Sequence, residues 1–212
     1  MSYDYSENIL VQESAGHLLA DEQGWQVELA YNQEVLGENR TFGRSSYKDI
    51  LLVRYFQKAL RTLNPSITDA QVIEAQNTFE KHLSSASLMQ INEEKYAYIR
   101  DGIPVTEKKP NGQTEEKRAM IIDFQHSDDM ERNHFLAVKE MKIHGDLYRR
   151  RTDIVGFVNG IPLLFVELKK NSVDVQNAYT DNYTDYLDTI PQLFYYNAFL
   201  MLSNGVEAKV GT

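Results

Sequence analysis

Residues 153–169 read DIVGFVNGIPLLFVELK, and this stretch decides the fold. Two apolar runs flank the dipeptide Asn159-Gly160, which strongly favours a two-residue turn between antiparallel strands. The second run is apolar at successive positions, a pattern typical of a strand that is buried on both faces. We therefore predict neighbouring strands over residues 153–158 and 161–168 in the interior of a sheet.

A carboxylate and an amine lie at the end of the second run. Glu167 follows four apolar residues, and a buried Glu without a partner costs several kcal/mol or takes up a proton, so a metal ion would explain its position. Side chains two apart on a strand share a face, so Glu167 and Lys169 point the same way and the hairpin folds Asp153 back beside them. We predict that Asp153, Glu167 and the Leu168 carbonyl bind Mg²⁺ while Lys169 orients or activates an attacking water, a combination that suits phosphodiester hydrolysis.

The register of the hairpin decides whether these side chains meet. A regular two-residue turn would pair Asp153 with Val166 and turn Asp153 away from Glu167. A single bulge or a three-residue loop would pair the two carboxylates, and Pro162, which cannot donate to the strand ladder, lies where an irregularity is tolerated. We predict that irregularity. The alternative is that Glu167 marks a strand end emerging into solvent.

The remaining sequence adds helices before this hairpin and a helix after it. Apolar residues recur at helical spacing over residues 7–23, 45–63, 68–83 and 173–187, and Thr68 with Gln71 forms a capping box. Strand patterns cover residues 25–31, 119–124, 134–143 and 199–202; strand-like alternation begins beyond Asn92, and residues 108–113 (KKPNGQ) are predicted to be a hairpin tip. This order predicts a single α/β domain with a mixed central β-sheet flanked by helices.

The composition excludes several classes of protein. The 212 residues contain no Cys, which removes disulfides, zinc ribbons and thiol catalysis and fits a reducing, cytoplasmic compartment. The net charge is −9, whereas free-standing nucleic-acid binders usually carry an excess of Lys and Arg. Any nucleic-acid role must therefore be local or shared. The sequence shows neither an export signal nor an apolar run long enough to span a bilayer, so we expect no membrane association.

Two long stretches resemble a known family. Residues 150–169 (RRTDIVGFVNGIPLLFVELK) and 177–205 (NAYTDNYTDYLDTIPQLFYYNAFLMLSNG) resemble the N-terminal nuclease region of the R subunit of type I restriction-modification enzymes, which belongs to the PD-(D/E)xK nuclease superfamily. Residues 119–124 and 133–138 also fit, so the resemblance covers essentially the whole chain. It implies a restriction-endonuclease-like fold, Mg²⁺-dependent cleavage of double-stranded DNA with Mn²⁺ able to substitute, and Asp153, Glu167 and Lys169 as the catalytic set.

The resemblance also implies supporting residues. The family often carries Gln-x-x-x-Tyr on the helix after the lysine. This chain offers Asn182 and Tyr186 at that spacing, or Gln176 and Tyr179 one residue too close, and we predict the first pair. The alternative is a solvated polar face with a packed tyrosine. The family's fold places an acid of its first helix near the metal. Glu13 fits that pattern, although an exposed helical glutamate is the commoner explanation.

A run of three arginines precedes Asp153. Arg149, Arg150 and Arg151 form a basic segment in an acidic chain, where phosphates of the DNA backbone could be held, or alternatively a solvated loop.

Partners and domain organisation follow from the resemblance alone. In the family an ATP-driven translocase follows the nuclease region in the same polypeptide, and methylation and specificity subunits complete the complex. No ATP-binding motif is present here, so ATP would act only through motor domains that this chain lacks. We expect residues 1–212 to be one nuclease domain of a longer chain. Two alternatives remain: a stand-alone repair or junction-resolving nuclease of the same superfamily, and a non-catalytic docking domain in which Glu167 and Lys169 pair only with each other.

Overall fold

The structure is a computed structural model that describes residues 7–126 and 132–212. Its helices are α1 (Glu7–His17), α2 (Val53–Leu63), α3 (Asp69–Glu80), α4 (Leu88–Asp101) and α5 (Thr184–Thr189). A π-helical segment Leu18–Glu22 extends α1, a second one, Ala178–Tyr183, leads into α5, and a 3₁₀ turn covers Pro191–Phe194. The strands are β1 (Gln26–Leu29), β2 (Ile103–Lys108), β3 (Thr114–Ala119), β4 (Phe135–Lys139), β5 (Lys142–His144), β6 (Arg149–Arg151), β7 (Ile154–Val158), β8 (Ile161–Leu168), β9 (Phe199–Ser203) and β10 (Ala208–Gly211).

A mixed sheet organises the molecule. Among the described residues it has six strands in the order β1-β4-β7-β8-β9-β10. The pairs β1–β4 and β8–β9 are parallel, and the other three pairs are antiparallel. The predicted α/β class with a mixed central sheet is therefore confirmed. The hairpins β2–β3 and β5–β6 form separate two-stranded sheets.

Helices cover both faces of the sheet, so the hairpin β7–β8 is buried on each side. On one face, Phe165 and its neighbours pack against Tyr186 and Phe194. On the other face, Val166 and Leu168 pack against the α1 segment. A further core joins α2, α3 and α4 to the hairpin β2–β3 and reaches the sheet at Ile161. Double-sided burial explains the unbroken apolar run of β8.

The central hairpin contains the predicted irregularity. Asn159 and Gly160 form the turn with φ of 53° and 80°, the left-handed values of a type I′ turn. Val158 pairs with Ile161, but the register shifts beside Gly156, and Leu163 is the extra residue. Ile154 consequently pairs with Val166, whereas a regular two-residue hairpin would pair it with Phe165. The bulge that the sequence predicted is confirmed.

Several predicted elements also form as expected. The capping box of Thr68 and Gln71 opens α3, and residues 109–113 form the tip of the hairpin β2–β3. Gly24 ends the first helical segment with φ of 69°. The strand predicted over residues 199–202 is β9. Every helix of the described residues is too short or too polar to cross a bilayer.

Several predicted elements are wrong in type or extent. The strand predicted over residues 134–143 is broken at Glu140 into β4 and β5, and the helix predicted over residues 173–187 is replaced by a π-helical segment and the short helix α5. The helix predicted over residues 45–63 begins only at Val53, because the backbone amide of Leu52 donates to the Gly160 carbonyl at 2.9 Å and fastens this segment to the turn. Strand structure does not begin beyond Asn92 as predicted, because α4 continues to Asp101 and the strand β2 begins at Ile103. Residues 120–124 are irregular because the side chain of Asn64 bonds both backbone groups of Met120.

Candidate active site

The bulge aligns the two acids that the sequence singled out. Because Ile154 pairs with Val166, Asp153 at the end of β7 lies opposite Glu167 on β8. Residues 153, 155 and 157 share one face of the sheet with residues 165 and 167. The Asp153 Oδ2 atom accepts a hydrogen bond of 2.7 Å from the backbone amide of Leu168, which fixes its carboxylate across the hairpin. The structure therefore brings the two predicted metal ligands together at one end of the sheet.

Glu167 is buried with an unsatisfied oxygen. The residue is 3% exposed, and its Oε2 atom has no hydrogen-bond partner among the described residues. Burial raises the pKa of the Glu167 carboxyl well above its usual range, and the neighbouring Asp153 carboxylate raises it further, while Lys169 opposes the shift. A buried carboxylate oxygen without a partner is uncommon and needs a compensating group. A divalent cation bound beside Asp153 would compensate both the burial and the repulsion.

The pKa of Asp153 is also raised, but less than that of Glu167. Burial raises the pKa of its carboxyl above the ordinary value. The bond from the Leu168 amide and the charge of Lys169 lower that pKa in part, and the charge of Glu140 raises it again. Two acids in one low-dielectric site, both with raised pKa values, are typical of functional sites and untypical of solvated strand ends.

Lys169 is held by the two residues predicted on the following helix. Its Nζ atom donates a hydrogen bond to Oδ1 of Asn182. Asn182 Nδ2 in turn lies 3.5 Å from the hydroxyl of Tyr186, which donates to the Arg151 carbonyl at 3.1 Å. The structure thus connects Lys169, Asn182 and Tyr186 and returns to the backbone two residues before Asp153. Their chemical roles remain predictions.

The first helix reaches the site through a neighbour of the predicted residue. Glu13 forms an ion pair with Lys139, with Oε1 and Nζ 2.7 Å apart. Its carboxylate is therefore engaged by a lysine of β4 and is not a free acid beside Asp153 and Glu167. The buried side chain of Gln12 instead donates to the Asp153 carbonyl at 3.2 Å. Sequence reasoning missed Gln12, although an amide at a buried helical position is a signal that asks for a backbone partner.

The three arginines before Asp153 do not act as one group. They form β6, where alternate side chains point to opposite faces. Arg150 points toward the helix layer and is bound by Asp185, with N–O distances of 2.5 and 2.8 Å. Arg149 and Arg151 are exposed on the other face. Phosphate binding by Arg150 would require breaking its ion pair.

Glu140 is a further residue that the sequence did not indicate. It links β4 to β5 with φ of 52°, a left-handed conformation that residues other than glycine rarely adopt. Its amide donates to the Asp153 carbonyl at 2.9 Å, and its Oε2 atom lies 3.5 Å from Arg151 Nη1. Strained backbone of this kind is frequent at functional sites.

The donor set fits a hard cation. Within residues 7–126 and 132–212 no group of three or more His, Cys, Asp or Glu side chains is arranged to hold a metal ion. The pair Asp153 and Glu167 would therefore need the Leu168 carbonyl, water or substrate oxygens to complete a shell of six. Mg²⁺ typically binds in this way, through one or two carboxylates and retained water.

The sequence is similar to known proteins of one family. Residues 4–212 match the family described as "Type I restriction enzyme R protein N terminus". The type I restriction enzyme HindI endonuclease subunit of Haemophilus influenzae is 31% identical over 193 residues, which cover 89% of this chain and 18% of that protein. The putative type I restriction enzyme MjaIXP endonuclease subunit of Methanocaldococcus jannaschii is 29% identical over 174 residues, which cover 80% of this chain and 16% of that protein.

The match extends through every strand of the central sheet and includes the hairpin that carries Asp153 and Glu167. The chain spans less than a fifth of the length of these two curated relatives. This chain belongs to the family of type I restriction enzyme R protein N-terminal regions.

Proposed function

We propose that this chain is the Mg²⁺-dependent endonuclease domain of a type I restriction R subunit and hydrolyses phosphodiester bonds of double-stranded DNA. The observation that carries the proposal is the buried, unsatisfied Oε2 atom of Glu167 opposite Asp153. Curated relatives that are named endonuclease subunits support it. Mn²⁺ is expected to substitute for Mg²⁺.

The chain's own residues divide the chemistry. Asp153, Glu167 and the Leu168 carbonyl would hold the cation, which when bound polarises a phosphoryl oxygen and lowers the pKa of a bound water. Lys169, positioned by Asn182, places a positive charge beside the attacked phosphate and orients the nucleophilic water. Tyr186 holds Asn182 in place by bridging it to the backbone before Asp153. Glu13 and Lys139 fasten the first helix over the sheet.

The wider assignment rests on the family. We propose that methylation and specificity subunits are partners, that ATP acts through motor domains outside these 212 residues, and that the compartment is cytoplasmic. A docking role without catalysis finds less support: no ion pair joins Glu167 to Lys169 among the described residues, and Lys169 bonds to Asn182 instead. A stand-alone nuclease would need strong DNA binding of its own, which a net charge of −9 disfavours.

The test is nicking of supercoiled plasmid by the 212-residue chain at high concentration with Mn²⁺. We expect slow nicking that is absent in Asp153→Ala and in Lys169→Ala and retained in Glu93→Ala, which removes an exposed acid on α4. Lys169→Ala leaves both carboxylates in place, so it should still bind Mn²⁺ although nicking is lost, and this difference from Asp153→Ala separates water orientation from metal binding. Equal nicking by wild type and Asp153→Ala would contradict the proposal.

A further inference from the structure

A small basic hairpin lies beside the candidate site. The strands β5 and β6 and their connecting turn, residues 145–148, are called the basic ribbon below. Its register pairs Lys142 with Arg151, Ile143 with Arg150 and His144 with Arg149. Directly paired residues, and residues two apart on one strand, share a face of a ribbon. One face therefore carries Lys142, His144, Arg149 and Arg151, and the opposite face carries Ile143 and Arg150.

The second face fixes the ribbon to the molecule. Ile143 is fully buried in the main core, and Arg150 is bound by Asp185 at the start of α5. The first face is therefore the outer face of the ribbon, and Arg149 and Arg151 are exposed on it. Because Asp185 neutralises Arg150 on the inner side, the positive charge of the outer face comes from Lys142, Arg149 and Arg151.

Most cations of the outer face are not neutralised by an ion pair with a described residue. Within the described part of the chain, Lys142 and Arg149 form no ion pair, and the ion-pair partner of Arg151 is Glu140 at 3.5 Å. The ring of Tyr31 packs against both Lys142 and Arg151, with its centroid 4.4 Å from Arg151 Cζ and 5.2 Å from Lys142 Nζ. A π face orders a cation without neutralising it. This packing preorganises two positive charges, of which only that of Arg151 has an acidic partner, Glu140 at 3.5 Å.

The outer face adjoins the candidate site. Arg151 lies two residues before Asp153, and its carbonyl accepts the hydrogen bond from Tyr186 that ends the Lys169 chain of contacts. A duplex whose scissile phosphate reached Asp153 would therefore present neighbouring phosphates to the ribbon. Duplex DNA carries about one negative charge for every 1.7 Å of its axis, so several phosphates lie within reach of such a face.

We propose that the outer face of the basic ribbon binds the phosphate backbone of duplex DNA next to the scissile bond through Lys142, Arg149 and Arg151, and that Arg150 serves only to anchor the ribbon. The identity of the partner as DNA rests on the proposed function. The placement of three unpaired or weakly paired cations on one face rests on the register alone. Contacts of this type position the substrate and do not read its sequence.

The test is binding of a fluorescein-labelled 30-base-pair duplex by fluorescence anisotropy at several salt concentrations without divalent metal. The triple variant Lys142→Ala, Arg149→Ala, Arg151→Ala is compared with Lys108→Ala, Lys109→Ala, Lys117→Ala, which removes the same charge from the exposed hairpin β2–β3. We expect the ribbon variant to lose about tenfold or more in affinity and to lower the salt slope of log K by about 2 to 3. The control should retain wild-type affinity and slope.

The single variant Arg149→Ala guards against misfolding of the triple variant, because its side chain is exposed and forms no ion pair with a described residue. It should lower the slope by about 1. Equal losses in the ribbon variant and the control, or no loss in either, would overturn the proposal. Ribbon-dependent binding of poly-glutamate in place of DNA would also overturn it.

A parallel Mn²⁺ titration separates the two proposals. Lys142, Arg149 and Arg151 are not proposed metal ligands, so the ribbon variant should bind Mn²⁺ as the wild type does. Ribbon-dependent DNA binding without Mn²⁺ binding would mean that the proposed function fails and the ribbon assignment stands. Mn²⁺ binding with unchanged DNA affinity in the ribbon variant would mean the reverse.

Discussion

Glu167 is an acid at a buried position, where burial disfavours its charged form. Its Oε2 atom is buried without a hydrogen-bond partner among the described residues, and Asp153 lies opposite. A residue that lowers stability in this way is retained when it serves binding or catalysis. The metal-free protein should therefore be less stable than a variant in which this charge is removed.

Glu167→Gln should stabilise the metal-free chain at pH 8 by about 1–3 kcal/mol, the order of the cost of a buried polar group without a partner. The folded-state pKa of Glu167 lies above its unfolded value, so the wild type is fully stabilised only below the unfolded pKa and loses stability as pH rises toward the folded pKa. The gain should therefore shrink as pH falls from the folded-state pKa of Glu167 toward its unfolded value of about 4.3, and should be smallest below that value. Urea unfolding of both proteins at pH 4 and pH 8 measures it, and a less stable variant at pH 8 would contradict this account.

Sequence reasoning could identify Asp153, Glu167 and Lys169 because a charge inside an apolar strand is visible in one dimension. The contribution of Asn182 and Tyr186 came from the resemblance, and the structure joins them to Lys169. Other neighbours could not be predicted in that way. Gln12 and Glu140 contact Asp153 through its backbone, across sequence separations that no local pattern encodes.

At the scale of elements, the bulge in the hairpin β7–β8 is what brings Asp153 opposite Glu167. Gly156 lies at the register shift, and a Cβ added there would be 2.8 Å from Trp25 Cζ3 and 2.9 Å from Leu164 Cβ. The bulge therefore depends on a residue without a side chain. The close approach of Trp25 also ties the start of β1 to the centre of the sheet.

Gly156→Ala should destabilise the protein by about 1–3 kcal/mol, because the added methyl group overpacks a filled interior. The matched control is Gly211→Ala on β10, where an added Cβ meets nothing within 4 Å. That control should change the unfolding free energy by less than about 0.5 kcal/mol. Chemical denaturation measures both variants, and equal stability of the two would show that the bulge tolerates a side chain.

A buried ion pair holds the long connection between β1 and α2. Arg44 and Glu34 are 0% and 3% exposed and are joined by bonds of 2.8 and 2.6 Å. The guanidinium also donates to the carbonyls of Asp49 at 3.0 Å and Lys142 at 2.9 Å, which attaches the connection to β5. All five donor hydrogens of an arginine are suited to such a convergence of acceptors.

Arg44→Met should destabilise the chain by about 3–5 kcal/mol, since it leaves the buried Glu34 carboxylate without a partner. The exposed pair Arg61 and Asp69 offers the comparison, with side chains 46% and 90% exposed. Arg61→Met should change stability by at most about 1 kcal/mol. Thermal and urea unfolding of the two variants compare them directly. Similar effects from both would mean that burial does not control the strength of these pairs.

The missed helix α4 shows why patterning alone fails at some elements. Its capping box, Ser87 with Gln90, is the same signal that located α3 correctly. Its buried face is spaced as a helix requires, at Ile91, Lys95 and Ile99, but the central position is a charged residue. Lys95 donates to the Lys81 carbonyl and lies 5.6 Å from the Tyr98 ring. A lysine at the centre of an inward face hides the helical period from sequence analysis.

At the scale of the whole molecule, positive charge is concentrated on one part of an otherwise acidic protein. The chain carries a net charge of −9, yet the outer face of the basic ribbon is cationic and lies at the sheet end that holds Asp153 and Glu167. The mixed sheet could be predicted from the order of elements. Its two parallel pairings could not, because they join segments far apart in sequence and no local pattern specifies them.

The central claim is that the paired carboxylates form a divalent-cation site, and calorimetric titration with Mn²⁺ tests it most directly. Wild type, Asp153→Ala and the exposed-acid control Glu93→Ala should be compared at pH 7.5, because burial raises the pKa of Glu167 and a more acidic solution would favour its protonated form over the metal-bound form. The account predicts binding in the wild type and in Glu93→Ala, and its loss in Asp153→Ala. Equal binding in all three proteins, or no binding in any of them, would contradict it.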